Sequence, residues 1–187
     1  MKSQKRSVIP AVFAIILVFL LLAGCASEQD PAHPQIEAIN ILRNKLKLPK
    51  LPLEYVETTF HSNPPSGSLQ VAVYQDKEGR KYYVDPVSNQ VLEMDARALL
   101  DKISPLASVL SEEQLRAKAQ KLIAAAIPRF ETLQANWVYE EGGKMDNYFY
   151  NWYGQVSAGS SNRPRAQIAL HRTGLLFGYE NTLLLDK

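Results

Sequence analysis

Three histidines, His33, His61 and His171, are the imidazoles this chain offers for acid–base or metal chemistry. None belongs to a His-x-x-x-His or Glu-x-x-His spacing. A zinc site needs three or four ligands close together, so no metal site is expected. Ser157, Ser160 and Ser161 lie near Gly159 and could supply a nucleophile. A hydrolytic serine needs a base and an orienting acid, and no Gly-x-Ser-x-Gly elbow surrounds these three, so they read as loop serines. Paired carboxylates can divide the work of glycoside cleavage. The candidates are Glu112-Glu113, Glu140-Glu141 and the group Asp85, Glu93 and Asp95. Each has a local explanation: a helix N-terminus for the first, a hairpin tip for the second, and turn and cap positions for Asp85 and Asp95. Gly142-Gly143-Lys144 lacks the frame of a phosphate-binding loop. No catalytic residues and no cofactor are expected, and the chain reads as a non-enzyme.

The strongest remaining feature is aromatic. Trp137 and Tyr139 alternate on one expected strand; Tyr148, Tyr150 and Trp152 alternate on the next, with Phe149 and Tyr153 on its other face. Such side chains offer large contact area with a polar tip, as recognition surfaces do. Cross-strand aromatic pairs also stabilise sheets by themselves, so packing is the first expectation for this set. If one face is open, Trp137, Tyr139, Tyr148, Tyr150 and Trp152 form the expected binding surface.

The single cysteine, Cys25, has a distinctive setting. Lys2, Lys5 and Arg6 make a basic start without acids, and an apolar run from Val8 to Ala23 follows, interrupted only by Pro10. This is the layout of a secretory leader. The run closes with Leu22-Ala23-Gly24-Cys25, which resembles the lipobox of bacterial lipoproteins. The resemblance implies a signal peptide over 1–24, cleavage before Cys25, and a diacylglycerol on its sulfur. Acylation of the freed amine, as by palmitate, would follow. Each buried methylene contributes roughly 0.8 kcal/mol, and two or more chains anchor stably where one does not. The expected place is the extracytoplasmic side of a cell membrane, held through Cys25. The mature body then has no thiol and no disulfide.

Losing Lys2, Lys5 and Arg6 with the leader takes the 21 basic residues to 18, against 19 acidic ones. The mature body is near neutral, which removes the electrostatic case for nucleic acid. Residues 25–35 are polar, contain two prolines and show no period, so they read as a tether. Fully extended, the ten residues after the cysteine reach about 33 Å.

Positioning elements follow. Ile36, Ile39, Leu42 and Leu46 recur at helical spacing within 35–47. Strands are expected over 53–61, 69–74, 81–85 and 90–93, separated by turn residues. A short helix is expected near Asp95, carrying Leu99, Leu100 and Ile103. Ser111-Glu112-Glu113-Gln114 is a capping box, and Leu115, Ala119, Leu122, Ile123 and Ala126 make one apolar stripe behind it. Strands are then expected over 132–140, 147–155, 166–171 and 175–179, with the first hairpin tip at 141–144. The fold class expected is α+β, with helices packed on one face of an antiparallel sheet. It divides into two halves, 36–103 and 104–187, each a helix followed by strands. Val84–Val91 can be laid beside Leu170–Leu176, with one residue fewer in the second.

The segment Tyr82-Tyr83-Val84-Asp85-Pro86-Val87-Ser88-Asn89-Gln90-Val91-Leu92 resembles the closing hairpin of PepSY-type domains. Leu115–Ile127, Tyr148-Phe149-Tyr150-Asn151-Trp152 and Gln167-Ile168-Ala169-Leu170 resemble repeats of YcdB/YcdC-like envelope proteins. Family turns usually place a glycine where Asn89 stands, and asparagine tolerates the same positive φ. The resemblance implies two PepSY-like halves and a module that binds, and in some cases restrains, an envelope peptidase. It carries no catalytic residues. The expected partners are therefore membrane lipid through Cys25 and an extracytoplasmic protein or peptidase. The alternative is a small ligand or cell-wall polymer on the aromatic strands.

Overall fold

Helix α1 (His33–Leu46) buries Ile39, Leu42 and Leu46, the turn-spaced apolar residues of the sequence. Strands β1 (Leu53–Phe60), β2 (Gln70–Asp76), β3 (Lys81–Val84) and β4 (Val91–Asp95) follow as an antiparallel meander. The short helix expected near Asp95 is a 3-10 helix, Arg97–Lys102; among its residues only Leu99 is buried. Helix α2 (Glu112–Ala126) starts at the predicted capping box. Ser111 Oγ accepts from Gln114 N at 3.2 Å, and Gln114 Oε1 accepts from Ser111 N at 2.9 Å. These bonds satisfy two donors that a helix start leaves open. Leu115, Ala119, Ile123 and Ala126 are the buried stripe. At the far end Lys45 Nζ of α1 donates to Ala126 O at 3.2 Å, a cation on a terminal carbonyl.

Two expectations are corrected beyond this point. Residues 132–136 are not strand: a one-turn helix α3 (Phe130–Leu133) continues into a 3-10 turn, Gln134–Asn136, and drives Phe130 into the core at 3% exposure. The first hairpin tip is not 141–144. Strand β5 (Val138–Lys144) runs through both glycines, and β6 (Asn147–Tyr153) pairs with it from Lys144↔Asn147 onward. The two-residue turn is Met145-Asp146, with Met145 at φ 57°. Strands β7 (Arg165–His171) and β8 (Leu176–Asn181) complete the set.

The eight strands form one sheet in the order β1-β2-β3-β4-β8-β7-β6-β5. Two four-strand meanders therefore meet edge to edge, each contributing its last strand to the seam. Residues opposite one another in a ladder share a face. One row crosses the sheet as Tyr55, Tyr74, Tyr82, Met94, Tyr179, Ile168, Tyr150 and Glu141. Near one end Tyr74 Oη donates to Gln35 of α1; at the other Glu141 is bound by Arg116 of α2. Both long helices thus cover the same face, and the protein is α+β. The alternate row, on the face opposite the two long helices, holds Val73, Tyr83, Glu93, Glu180, Gln167, Asn151 and Glu140.

The two meanders match in detail. Each has a register shift beside its last turn, between Tyr83 and Val84 in one and between Ala169 and Leu170 in the other. Val84↔Val91 and Leu170↔Leu176 are then equivalent pairs, and Met94 becomes the counterpart of Tyr179. Those two face each other across the seam, flanked by Glu93↔Glu180 and Asp95↔Gly178. In the two last turns, Asp85 Oδ1 accepts from Val87 N and His171 Nδ1 from Thr173 N. Asn89 at φ 57° and Gly174 at φ 82° take the left-handed position in each.

The computed structural model describes residues 33–64, 67–156 and 162–183, without the side chains of His33 and Lys144. Pro34–Lys187 forms one compact unit. The leader, Cys25, the tether to residue 32, and Ser157, Ser160 and Ser161 lie outside the described residues. Among those described, no helix is long and apolar enough to cross a membrane.

Candidate functional site

The aromatic set was expected either to pack or to bind. Its strands place it on the helix-covered face, where packing dominates. Trp152 and Tyr150 keep 3% and 2% exposure. Phe130, brought in by α3, stacks edge-on against Trp152 at 5.4 Å and tilted against Trp137 at 5.8 Å. Tyr139 lies over Trp152 at 5.2 Å and donates its hydroxyl to Glu141 Oε1 at 2.7 Å. Burial first, and that bond second, hold the Tyr139 hydroxyl above the ordinary phenol range. Glu141 is held below the carboxylate range, chiefly by Arg116. Of the five, Trp137 and Tyr148 are half-buried and Tyr139 stays exposed, so the set is covered only in part. Tyr150 and Trp152 are covered, and Tyr139 has its polar tip already bonded. Glu140 and Glu141, read as tip residues, are strand residues on opposite faces.

Polar chemistry gathers instead on the other face, at the β4–β8 seam. A groove of about 250 Å³ is lined there by Glu93, Asp95 and Arg97 of the first half and Arg165, Gln167 and Glu180 of the second. Ser62, Asn63, Phe149 and Phe177 close its sides. The rings of Phe149 and Phe177 meet edge to face at 5.7 Å.

Curl of the sheet brings the residues just after β1 to this groove, where Ser62 and Asn63 line it. His61 follows β1, which two strands separate from β4 in the sheet, yet its Nε2 lies 3.4 Å from Glu93 Oε2. Its Nδ1 accepts from Asn63 N, so in the neutral ring the proton sits on Nε2, toward Glu93. The contact is close but poorly directed, and Nε2 has no hydrogen-bond partner by geometry. The loop after His61 also meets the loop before β7, where Asn162 Nδ2 donates to Pro64 O at 2.9 Å.

The remaining charges are unevenly satisfied. Asp95 receives Arg97 Nε, Nη2 and backbone N, the shortest at 2.6 Å. Burial pushes its carboxyl upward, but these bonds outweigh it and leave it below the usual range. Burial, then the Glu93 and Asp95 charges, raise the Tyr83 hydroxyl. Glu180 is 6% exposed and gives Oε2 to Arg165 Nη2; among the described residues Oε1 is buried without a partner, and so is Arg165 Nε. Gln167 Nε2 donates to Asn151 Oδ1 at 2.6 Å. The arrangement can receive hydrogen-bonding groups at two half-used carboxylates and one half-used guanidinium.

Among the described residues, no group of three or more His, Cys, Asp or Glu is placed to share a metal ion. His171 anchors its turn, and Asp85 does the same through Val87 N and Ser88 Oγ. Glu93 and Asp95 were in the carboxylate group seen in the sequence, and His61 was one of its three candidate imidazoles; Arg97, Arg165, Gln167 and Glu180 were not singled out. The signal for Glu180 was a charge next to Phe177-Gly178-Tyr179, visible only if the strand is carried past Tyr179. Comparison with known proteins gives no match to a family model, to a curated protein or to a solved structure.

Proposed function

We propose that the protein is a membrane-anchored extracytoplasmic lipoprotein whose body is a non-catalytic protein-binding module acting on an envelope protein, a peptidase being the favoured kind. The anchor rests on Lys2, Lys5, Arg6, the apolar run and Leu22-Ala23-Gly24-Cys25. One observation carries the binding role. The sheet face opposite the helices bears a polar groove with a buried carboxylate oxygen and a buried guanidinium nitrogen, both without partners. Groups of this kind are normally paired, and a bound polypeptide supplies both donors and acceptors. The equivalent turns, register shifts and element order of the two meanders support reading them as PepSY-like halves. The covered state of Tyr150 and Trp152 turns the reading away from a glycan platform on that strand pair.

The test is photo-crosslinking on intact cells with the full, lipidated chain. One probe replaces Lys81, opposite Asp95 on the groove face; the control replaces exposed Lys121 on α2. The expected result is a protein adduct from position 81 alone. Equal capture of the same species from both positions, or none from position 81 while a lipidated control bait captures its partner, overturns the reading. Mass spectrometry of the mature N-terminus checks the anchor: an unmodified Cys25 thiol within a longer chain refutes it.

A further inference from the structure

We propose that the seam groove receives one organic cation, the alkylammonium or guanidinium end of a lysine- or arginine-type side chain on a bound polypeptide. The inference rests on the binding role above for its partner, but its chemistry comes from the groove.

Glu93 and Glu180 are directly opposed in the β4–β8 ladder. Opposed side chains have Cβ atoms about 4.5–5.5 Å apart, and like charges at that spacing destabilise a sheet. Neighbouring cations do not resolve the conflict. Arg97 is bidentate on Asp95, and Lys81 stands on the β3 side, away from Glu180. Arg165 takes a single oxygen of Glu180. Among the described residues Glu93 has only the imidazole of His61. Two adjacent carboxylates are thus served by one guanidinium, and Glu180 Oε1 is buried with no donor.

A ligand ammonium or guanidinium between Glu93 and Glu180 Oε1 supplies both the missing charge and the missing donors. The volume agrees. About 250 Å³ falls below the roughly 300–1,000 Å³ of pockets for drug-sized ligands, so the space suits one side chain. Phe149 and Phe177 line it and can pack an aliphatic stem, with the cation near aromatic faces. Arg165 Nε selects a polypeptide over a free amine. It is a buried donor without an acceptor, and a backbone carbonyl beside the inserted side chain fits it.

The experiment is an NMR titration of the full chain in detergent micelles. The probes are N-acetyl-Ala-Lys-Ala-amide, its Arg and norleucine counterparts, and n-butylammonium. Expected are saturable shifts of the Gly178 and Ala169 amides with the Lys and Arg peptides. Binding should be at least about tenfold weaker for norleucine and for n-butylammonium, the order supplied by a charged hydrogen-bond partner. Glu180→Gln should lower affinity for the Lys peptide by a similar factor without changing the norleucine response. Glu93→Gln, at a more exposed position, gives the same direction if Glu180→Gln fails to fold. Equal binding of the Lys and norleucine peptides overturns the cation inference and leaves the peptide-binding role standing. Tighter binding of n-butylammonium than of the Lys peptide overturns the polypeptide source. The absence of saturable shifts from every probe at millimolar concentrations overturns the inference, while the crosslinking result judges the binding role separately.

Discussion

Arg43 on α1 and Asp76 at the end of β2 meet at 3.2 Å with neither side chain exposed. Asp76 also binds Arg80 at 3.1 Å, and Arg43 Nε donates to Tyr82 Oη at 3.0 Å. Arg43 further donates to Leu51 O at 2.7 Å. One carboxylate thus joins a helix, a strand and a turn. Removing one partner of a buried pair leaves an uncompensated charge, at a cost of about 3–5 kcal/mol. Asp76→Ala strands the Arg43 guanidinium, while Arg80 keeps Glu78 at 2.6 Å, and should lower unfolding free energy by that order in urea denaturation. A loss under 1 kcal/mol would mean the pair is not closed in solution.

The α2 start gives a smaller effect. Ser111→Ala removes the acceptor for Gln114 N and should cost about 1 kcal/mol. Thermal unfolding of the variant measures it. An unchanged midpoint would show that the capping box does not form.

Trp152 tests the covered aromatic face. It is 3% exposed and contacts both Phe130 and Tyr139. Trp152→Ala should destabilise by about 3–5 kcal/mol. If the residue served an open binding surface instead, the substitution would leave the urea midpoint nearly unchanged.

Asp95 sets a pH dependence. Its folded pKa is depressed, so the unfolded chain binds the proton more tightly. Its stabilising contribution is complete above the ordinary aspartate value of about 3.9 and fades as pH falls through the lower folded value. Asp95→Asn should therefore reduce stability at neutral pH and flatten the acid limb of a stability–pH curve below about pH 4. Parallel curves for the two proteins would remove Asp95 from the acid transition.

Local signals were legible where a short stretch settles the outcome by itself. Ser111 and Gln114 bond reciprocally within one turn, and Asn89 meets its own steric need for positive φ. Legibility failed where distant packing decided. Residues 132–136 read as strand, but the Phe130 ring fills the space beside Trp152, and that contact holds residues 130–133 helical. Gly142-Gly143 reads as a turn, yet Phe149 and Tyr148 hold both in the ladder and move the turn to Met145. The candidate site failed for the same reason. His61 and Glu93 come together only through curl, and Glu180 meets Glu93 only because β8 pairs with β4 rather than with another edge.

That seam sets an order of events in synthesis. β4 is made early, but its second neighbour is β8, the last strand among the described residues. Until β8 arrives, β4 presents an unpaired edge of the sort that templates aggregation. Pairings so far apart in the chain form slowly. A chain shortened before Leu176 keeps both helices and seven strands but exposes two inner edges, so a nonsense codon there should yield a protease substrate rather than a smaller working module.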